Sequence, residues 1–299
     1  MNNLFRTPVS LPKSPLQLTY DTKILTLGSC FSDNIARKMQ EYFLPVTANP
    51  FGTLYNPISI RHHLDLDKCR QYDVVIVTFG TAWVYCDKNL ITEEEYAKAT
   101  ICLNKDSSIY KYRTPLFLSV VDNCLKRPSA DFYRYRLTVE DILTMWSPLL
   151  EASPGCRFIF TVSPIRHIKD GLHENQLSKA ILLQAVDIIT KEYKNTTYFP
   201  SYEIMLDELR DYRFYAPDMF HPSEVAIDYI WDCFRQTFYA NPETQQSMDE
   251  LHKLRLMLSH RPLHPDSEDY QTFRESLRGK VHEMQKKYPQ LQPLKQIQL

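Results

Sequence analysis

Three short apolar runs, set far apart and separated by helical patterns, constrain the fold of this chain most. They are Lys23–Leu27 (KILTL), Val74–Phe79 (VVIVTF) and Arg157–Val162 (RFIFTV). Continuous apolar runs of this length are typical of parallel strands covered by helices on both faces. The first two end directly at Gly28 and Gly80, and the third ends in a polar loop. This alternation predicts a doubly wound α/β domain whose site lies at the carboxyl ends of the strands.

Amphipathic patterns supply the helices that such a sheet needs between its strands. Two of them begin at Ser32 and Thr138, residue types that accept hydrogen bonds from the first free N–H groups of a helix. Two shorter runs are predicted as additional strands. The helices are predicted over 32–43, 138–150, 175–193 and 223–238, and the short strands over 46–48 and 197–199.

The chain of 299 residues is long enough to bury a large core as one domain with appendages. We expect an α/β domain over 1–240 with an insertion at about 83–136, a stretch rich in tyrosine and charge that has some strand character. Residues 241–299 are polar and helical by pattern, which predicts a C-terminal helical appendage that packs on the domain or on a partner.

Composition excludes several classes of function. A net charge of −1 offers no basic field for a nucleic-acid backbone, and no apolar run is long enough to span a membrane. Seven scattered cysteines without a C-x-x-C pair argue against a disulfide framework and a zinc site, which fits a cytoplasmic location. The His62-His63 cluster is interpreted as a solvated face, so neither a metal nor a cofactor is predicted. The sequence does not predict the oligomeric state.

The first candidate for chemistry is the turn after the first strand, where Ser29 and Cys30 follow Gly28. A strand, a glycine turn and a helix place both side chains at a helix N-terminus, where N–H groups and the helix dipole favour negative charge. A thiol there is expected to have a lowered pKa and to act as a nucleophile. A tight turn with a capping serine and a buried cysteine is the alternative.

The second candidate is the segment Pro217–Ser223 (PDMFHPS), in which Asp218 and His221 are three residues apart. This spacing lets a carboxylate hold Nδ1–H of the imidazole while the other ring nitrogen acts as general base. A helix-capping aspartate beside a surface histidine is the alternative. At the last strand-to-helix junction, opposite a nucleophile turn, the pair favours acyl-transfer chemistry.

Together these motifs resemble the GSCFA family, a branch of the SGNH/GDSL hydrolase superfamily. The stretch GSCFSDNIA carries the resemblance, the segments NPFGTLYNP and SPIRHIKDG also look like that family, and the similarity spans about residues 20–240. It implies a flavodoxin-like three-layer α/β/α SGNH-hydrolase fold and ester hydrolysis or acyl transfer. The superfamily pattern places a nucleophile after the first strand, an oxyanion glycine after the second, an asparagine after the third and a D-x-x-H pair near the end.

Two positions depart from that pattern, and the first is the nucleophile. A G-D-S-L block laid on Gly28-Ser29-Cys30-Phe31 puts Cys30 in the nucleophile column, and the following Ser32 and Asp33 fit this register. The resemblance therefore assigns the attack to Cys30, with Ser29 as the alternative. A cysteine suits transfer, because thioesters pass acyl groups readily to hydroxyls or amines.

The second departure lies in the oxyanion hole. The G-x-N-D block becomes Gly80–Trp83, with Ala82 in the asparagine column, whereas Gly52 matches the second block. Loss of one oxyanion donor typically lowers the rate about 10²- to 10³-fold. Another group would then have to replace the donor or bind the substrate. The candidates are Thr81, Asn123, Arg166 and His167.

The sequence thus predicts an acyl-ester hydrolase or acyltransferase that acts through a covalent acyl-enzyme, on a small-molecule or glycan acyl ester. A non-catalytic glycan-binding or scaffold protein on the same fold is the rival, and Ala82 motivates it. The distance from His221 to the candidate nucleophiles distinguishes the enzyme from the binding protein. A ring nitrogen of His221 farther than one bridging water from both Cys30 and Ser29 would favour the binding protein.

Overall fold

A five-stranded parallel sheet in the order β2-β1-β3-β6-β7 forms the centre of the protein. We analysed a computed structural model that describes residues 7–101, 109–122 and 127–297. The remaining two strands, β4 and β5, pair antiparallel beside it. The strands are β1 (Ile24–Gly28), β2 (Val46–Ala48), β3 (Val74–Phe79), β4 (Trp83–Asp87), β5 (Phe132–Arg136), β6 (Arg157–Val162) and β7 (Thr196–Tyr198).

Helices connect the parallel strands and cover both faces of the sheet. The described residues also form three 3₁₀ turns and one π-helical turn, which continues α8. The helices are α1 (Cys30–Glu41), α2 (Pro57–His62), α3 (Leu66–Cys69), α4 (Glu93–Ile101), α5 (Ile109–Leu118), α6 (Val139–Ala152), α7 (Leu172–Glu192), α8 (Ser201–Glu203), α9 (Glu224–Phe238), α10 (Pro242–Ser259), α11 (Glu268–Lys287) and α12 (Gln292–Lys295). The shorter turns are Ser129–Asp131, Ile168–Asp170, Tyr212–Phe214 and the π-helical Ile204–Glu208.

Alternate residues of the central strands face opposite helical layers. Val75 and Val77 of β3 pack in the core that includes side chains of α2, α6 and α7, whereas Ile76 packs in the core formed with α1 and α9. This alternation follows from the two-residue period of a strand. The fold is therefore a three-layer α/β/α sandwich with the flavodoxin-like strand order 2-1-3-4-5, which confirms the predicted fold class.

Gly28 allows the central strands β1 and β3 to approach each other where the Ser29–Cys30 turn begins. Its φ is +146°, and a Cβ atom at this position would lie 2.3 Å from the carbonyl oxygen of Thr78. Only glycine accepts both conditions without strain. As a result, the chain can leave β1 and start α1 after a single residue, Ser29, instead of at Ser32 as predicted.

The predicted caps and bounds of the other helices hold to within a few residues. Thr138 accepts a hydrogen bond from the N–H of Asp141, and the Asp141 carboxylate accepts one from the N–H of Thr138, so this helix starts with a capping box. Ser223, where a helix was predicted to begin, is the N-cap of α9, and its hydroxyl accepts a hydrogen bond from the N–H of Ala226. Helix α7 starts at Leu172, three residues earlier than predicted, because the chain enters it directly from Gly171 at φ +88°.

The segment 83–136 forms the β4–β5 pair at its two ends, which confirms its predicted strand character. Trp83 pairs with Arg136, and Asp87 pairs with Phe132. Helices α4 and α5 between them were not predicted. Because β4 follows β3 after only three residues, this segment begins directly at the carboxyl edge of the main sheet.

Helices α10, α11 and α12 pack on one another and on the loop that follows α1. Phe43 lies in their apolar cluster together with Leu251, Val281 and Leu294. The ring of Tyr20 contacts that of Tyr288 edge to face, with the centroids 5.1 Å apart. A helix that crosses a bilayer needs about 20 mostly apolar residues, and the described helices include none of that kind.

Candidate active site

Ser29 and Cys30 lie at the carboxyl end of the central strand β1, but their side chains have different surroundings. Cys30 is the first residue of α1 and is partly exposed. Ser29 is buried, and its hydroxyl has no hydrogen-bond partner among the described residues. It occupies the N-cap position of α1, yet its side chain does not cap the helix. The backbone turn therefore presents the thiol and conceals the hydroxyl.

The turn before α9 brings His221 to Cys30. Nε2 of His221 lies 3.6 Å from Sγ of Cys30, and Nδ1 lies 2.6 Å from Oδ2 of Asp218. The carboxylate of Asp218 also accepts the N–H groups of Phe220 and His221, at 2.9 and 3.0 Å. The two sequence motifs, which are far apart in the chain, thus form one continuous Cys–His–Asp arrangement. No bridging water is needed between the thiol and the ring.

The electrostatics of this arrangement favour a neutral thiol at rest. Burial raises the pKa of Cys30, and the carboxylate of Asp33 raises it further, while the N–H groups of Cys30 and Phe31 oppose them. The expectation of a lowered thiol pKa was therefore wrong, because desolvation outweighs the helix N-terminus at this site. Hydrogen bonds from the N–H groups and the ring of His221 hold the pKa of Asp218 at about 2, so this carboxylate is charged at neutral pH.

A cavity of about 330 Å³ opens over Cys30 and His221 at the carboxyl edge of the sheet. Aromatic and aliphatic side chains form much of its wall, and polar and charged side chains complete it. The apolar part comprises Tyr55, Trp83, Tyr85, Val121, Ile165 and Ile168, and the polar part includes Asn56, Thr81, Asp122, Arg166, His167, Lys169 and Asp170.

Gly52 is not brought to this cavity. It is exposed, with φ +79°, and its N–H donates to the carbonyl of Asn49 at 2.8 Å. The predicted availability of this N–H for an oxyanion is therefore corrected. The side chain of Asn49 connects this segment to the start of α1, since its Oδ1 accepts a hydrogen bond from the N–H of Gly28 and its Nδ2 donates one to Asp33.

Thr81 lines the cavity, but its backbone N–H is already bonded. The N–H groups of Gly80 and Thr81 both donate to the carbonyl of Tyr55, at 2.8 and 2.9 Å. The Thr81 hydroxyl lies 3.1 Å from that of Ser178 and accepts the N–H of Trp83. This segment therefore offers the cavity no free backbone donor at either position.

Arg166 and His167 both line the cavity, at the end of β6. The guanidinium of Arg166 forms no hydrogen bond or ion pair with the described residues. Burial, the charge of Lys179 and then His221 lower the pKa of His167 to about 4, so its ring is neutral at pH 7. Asn123, the remaining predicted candidate, lies outside the described residues.

Lys179 is a buried lysine that the sequence analysis missed. Its Nζ donates to the carbonyls of Gly80 and Ser163, both at 2.6 Å, and so connects the ends of β3 and β6. Burial lowers its pKa to about 7. The sequence did contain a signal for its burial. Lys179 precedes Leu182 and Val186 by three and seven residues and thus lies on the apolar face of α7.

The chain belongs to the GSCFA family. The family profile matches residues 23–67 and 66–234, and the profile of the GSCFA domain protein C-terminal domain matches residues 251–298. This confirms the family that the motifs suggested. A comparison with curated protein sequences gave no match.

Two solved structures of esterases are similar to this chain at a distance. A family 3 carbohydrate esterase of Clostridium thermocellum is 12% identical, with a TM-score of 0.37 over 79% of this chain and 99% of the other. A catalytic mutant of Axe2, an acetylxylan esterase of Geobacillus stearothermophilus, is also 12% identical, with a TM-score of 0.38 over 74% of this chain and 96% of the other.

Proposed function

We propose that this protein is an acyl-ester hydrolase or acyltransferase of the SGNH type, in which Cys30 carries the acyl group. One observation carries the proposal: the ring of His221 contacts both Cys30 and Asp218. Its Nε2 lies 3.6 Å from Sγ of Cys30, and its Nδ1 lies 2.6 Å from Oδ2 of Asp218. A nucleophile, a base and a group that orients the base are the parts that covalent acyl transfer requires. Cys30 and His221 line an open cavity, which gives an ester a place to bind.

The reaction would proceed in two halves. Sγ of Cys30 attacks the ester carbonyl while Nε2 of His221 takes the thiol proton, and the carbonyl electron pair moves to oxygen. When this intermediate collapses, the alcohol leaves with the proton from Nε2, and a thioester remains on Cys30. Water or an acceptor hydroxyl then attacks the thioester, His221 takes and returns the proton, and the thiol is restored. Asp218 keeps Nε2 free to accept by holding the proton on Nδ1.

The raised pKa of the Cys30 thiol agrees with the role of His221 as general base. Because burial raises the pKa of Cys30, a preformed thiolate is disfavoured, and a base in contact has to remove the proton during attack. His221 is that base by position. The buried hydroxyl of Ser29, which has no contact with His221, is less suited to this role.

The substrate class that fits the cavity is an acylated carbohydrate. Tyr55, Trp83 and Tyr85 line it, and flat aromatic faces pack well against the apolar faces of sugar rings while polar groups fix the hydroxyls. A volume of about 330 Å³ holds an acyl group with one sugar unit and leaves the rest of a glycan outside. The family resemblance implies the same reaction class.

The test is rapid acid quench of the protein mixed with p-nitrophenyl acetate, followed by peptide-mapped mass spectrometry. We expect an acetyl group on Cys30 that is absent in His221→Ala. His264→Ala is the matched control, since it removes an exposed histidine of the C-terminal region and should leave the label unchanged. Addition of a short oligosaccharide separates the two versions: acetylated sugar indicates transfer, and acetate alone indicates hydrolysis.

Two results would change the proposal. Acetyl on Ser29 would keep the mechanism and move the nucleophile by one residue. Absence of label on both residues, with no turnover, would favour the glycan-binding protein that Ala82 suggests. Calorimetric measurement of glycan binding by the wild-type protein and by Cys30→Ala would then define that function.

A further inference from the structure

Besides the Cys–His–Asp arrangement, acyl transfer needs hydrogen-bond donors for the oxyanion. Ala82 stands where the superfamily places an asparagine, and the Ala82 N–H donates to the Ser178 hydroxyl at 2.7 Å. The N–H groups of Gly80 and Thr81 are both used by Tyr55. At the nucleophile turn itself, the N–H of Cys30 opens α1 and has no carbonyl one turn earlier to bond. A second donor has to come from elsewhere in the cavity wall.

His167 is positioned to be that donor. A Cβ atom on Gly80 would lie 3.2 Å from Nε2 of His167 and 3.5 Å from Cβ of Ser29, so the imidazole and the Ser29–Cys30 turn both border Gly80. The ring lines the cavity and meets Tyr55 edge to face, with the centroids 5.3 Å apart. Neither ring nitrogen has a hydrogen-bond partner among the described residues.

The loop that carries His167 is held rigidly in this position. The side-chain oxygen of Asn175 accepts the backbone N–H of His167 at 3.0 Å, and Asn175 is buried at the start of α7. One turn further along α7, Lys179 donates to the carbonyls of Gly80 and Ser163, which follow the ends of β3 and β6. A donor that is fixed before the substrate arrives stabilises developing charge without reorganisation.

We propose that Nε2–H of neutral His167 donates to the oxyanion that forms when Cys30 attacks, in place of the missing asparagine. This inference rests on the proposed function and assigns a catalytic residue within it. The surroundings of the ring favour a neutral donor: burial and the charge of Lys179 both act against a second proton, and His221, which acts in the same direction, has its own carboxylate partner in Asp218. Arg166 lines the same cavity.

The decisive comparison uses two reactions of the same thiol. Acylation by p-nitrophenyl acetate passes through an oxyanion, whereas alkylation by iodoacetamide displaces iodide and forms none. In His167→Leu, which keeps bulk but removes the donor, we expect the acylation rate of Cys30 to fall about 10²- to 10³-fold while alkylation stays within about threefold. His167→Gln, which restores an N–H donor, should recover part of the loss.

The design separates this inference from the proposed function. If wild-type Cys30 is not acylated, the proposed function fails. If wild type is acylated and His167→Leu acylates within about threefold of it, the function stands and the inference is overturned. An equal loss of acylation and alkylation in His167→Leu also overturns it, because the ring would then act on the thiol and not on the oxyanion.

Asn56 is the competing donor in the same wall, since its Oδ1 caps α2 and its Nδ2 has no hydrogen bond to the described residues. Asn56→Ser keeps a capping oxygen and removes the amide. The inference predicts a smaller loss of acylation in this variant than in His167→Leu. A loss confined to Asn56→Ser, with His167→Leu unaffected, would assign the oxyanion to Asn56.

Discussion

Asp218 holds His221 at two points, through the backbone N–H at 3.0 Å and through Nδ1 at 2.6 Å. Replacement by asparagine keeps the shape but allows the wrong ring tautomer, which leaves Nε2 protonated. We expect Asp218→Asn to lower the acylation rate of Cys30 by about 10²- to 10⁴-fold in quench-flow measurements. Asp211→Asn is the control, because Asp211 likewise accepts a backbone N–H in an exposed turn. A rate for Asp218→Asn equal to that of the control would contradict the assigned role.

The raised pKa of Cys30 fixes the direction of its pH dependence. Only the thiolate reacts with iodoacetamide, so a pKa above the ordinary value means less thiolate at neutral pH and an alkylation rate that keeps rising into the alkaline range. Asp33→Asn removes the second cause of the shift and should increase alkylation at pH 7. The rate of Cys30 is followed by peptide mapping from pH 6 to pH 10. A plateau already reached at neutral pH would show a preformed thiolate instead.

Ser29 tests the choice of nucleophile and the energetics of its hydroxyl together. Because this hydroxyl is buried and has no hydrogen-bond partner within the described part of the chain, Ser29→Ala should raise the free energy of unfolding by about 1 kcal/mol. Ser32→Ala is matched, since the hydroxyl of Ser32 is also buried and unpartnered among the described residues. We expect both variants to keep acylation of Cys30. A loss of label in Ser29→Ala alone would make Ser29 the nucleophile.

Gly28→Ala should be strongly destabilising. Its Cβ would collide with the carbonyl of Thr78, and φ +146° is unfavourable for any residue with a side chain. We expect a loss of about 3–5 kcal/mol in urea unfolding, or insoluble expression. Gly155→Ala is the control, because nothing lies within 4 Å of its Cβ position, and it should change stability by less than about 1 kcal/mol. Similar stabilities for the two variants would refute the close approach of β1 and β3.

The sheet and the two sequence motifs of the candidate site could be predicted because their signals are local. Strands β1, β3 and β6 are buried on both faces and therefore appear as unbroken apolar runs, and Thr138 and Ser223 mark helix starts by chemistry alone. Helices α4 and α5 lack a clear apolar stripe, and α5 contains Pro115, so their pattern gave no such signal.

The rest of the site depends on contacts that no local pattern contains. Whether the N–H groups of Gly52 and Thr81 are free is decided by carbonyls of Asn49 and Tyr55, which follow from the path of the loops. The pKa of the Cys30 thiol also depends on such contacts. Its place at the start of a helix was predicted, but the burial that raises its pKa instead of lowering it was not. Lys179 was missed because a lysine in an amphipathic helix is normally exposed.

The placement of α12 has a consequence for solubility that is independent of catalysis. Strand β2 is an outer strand of only three residues, and its unpaired side is a template for association with another chain. Gln292 and Pro293 of α12 line a cleft with Val46 and Thr47, so the C-terminal helices lie beside this edge. A chain shortened to residue 240 would uncover both the edge and Phe43, and we expect it to aggregate by strand pairing even with an intact cavity.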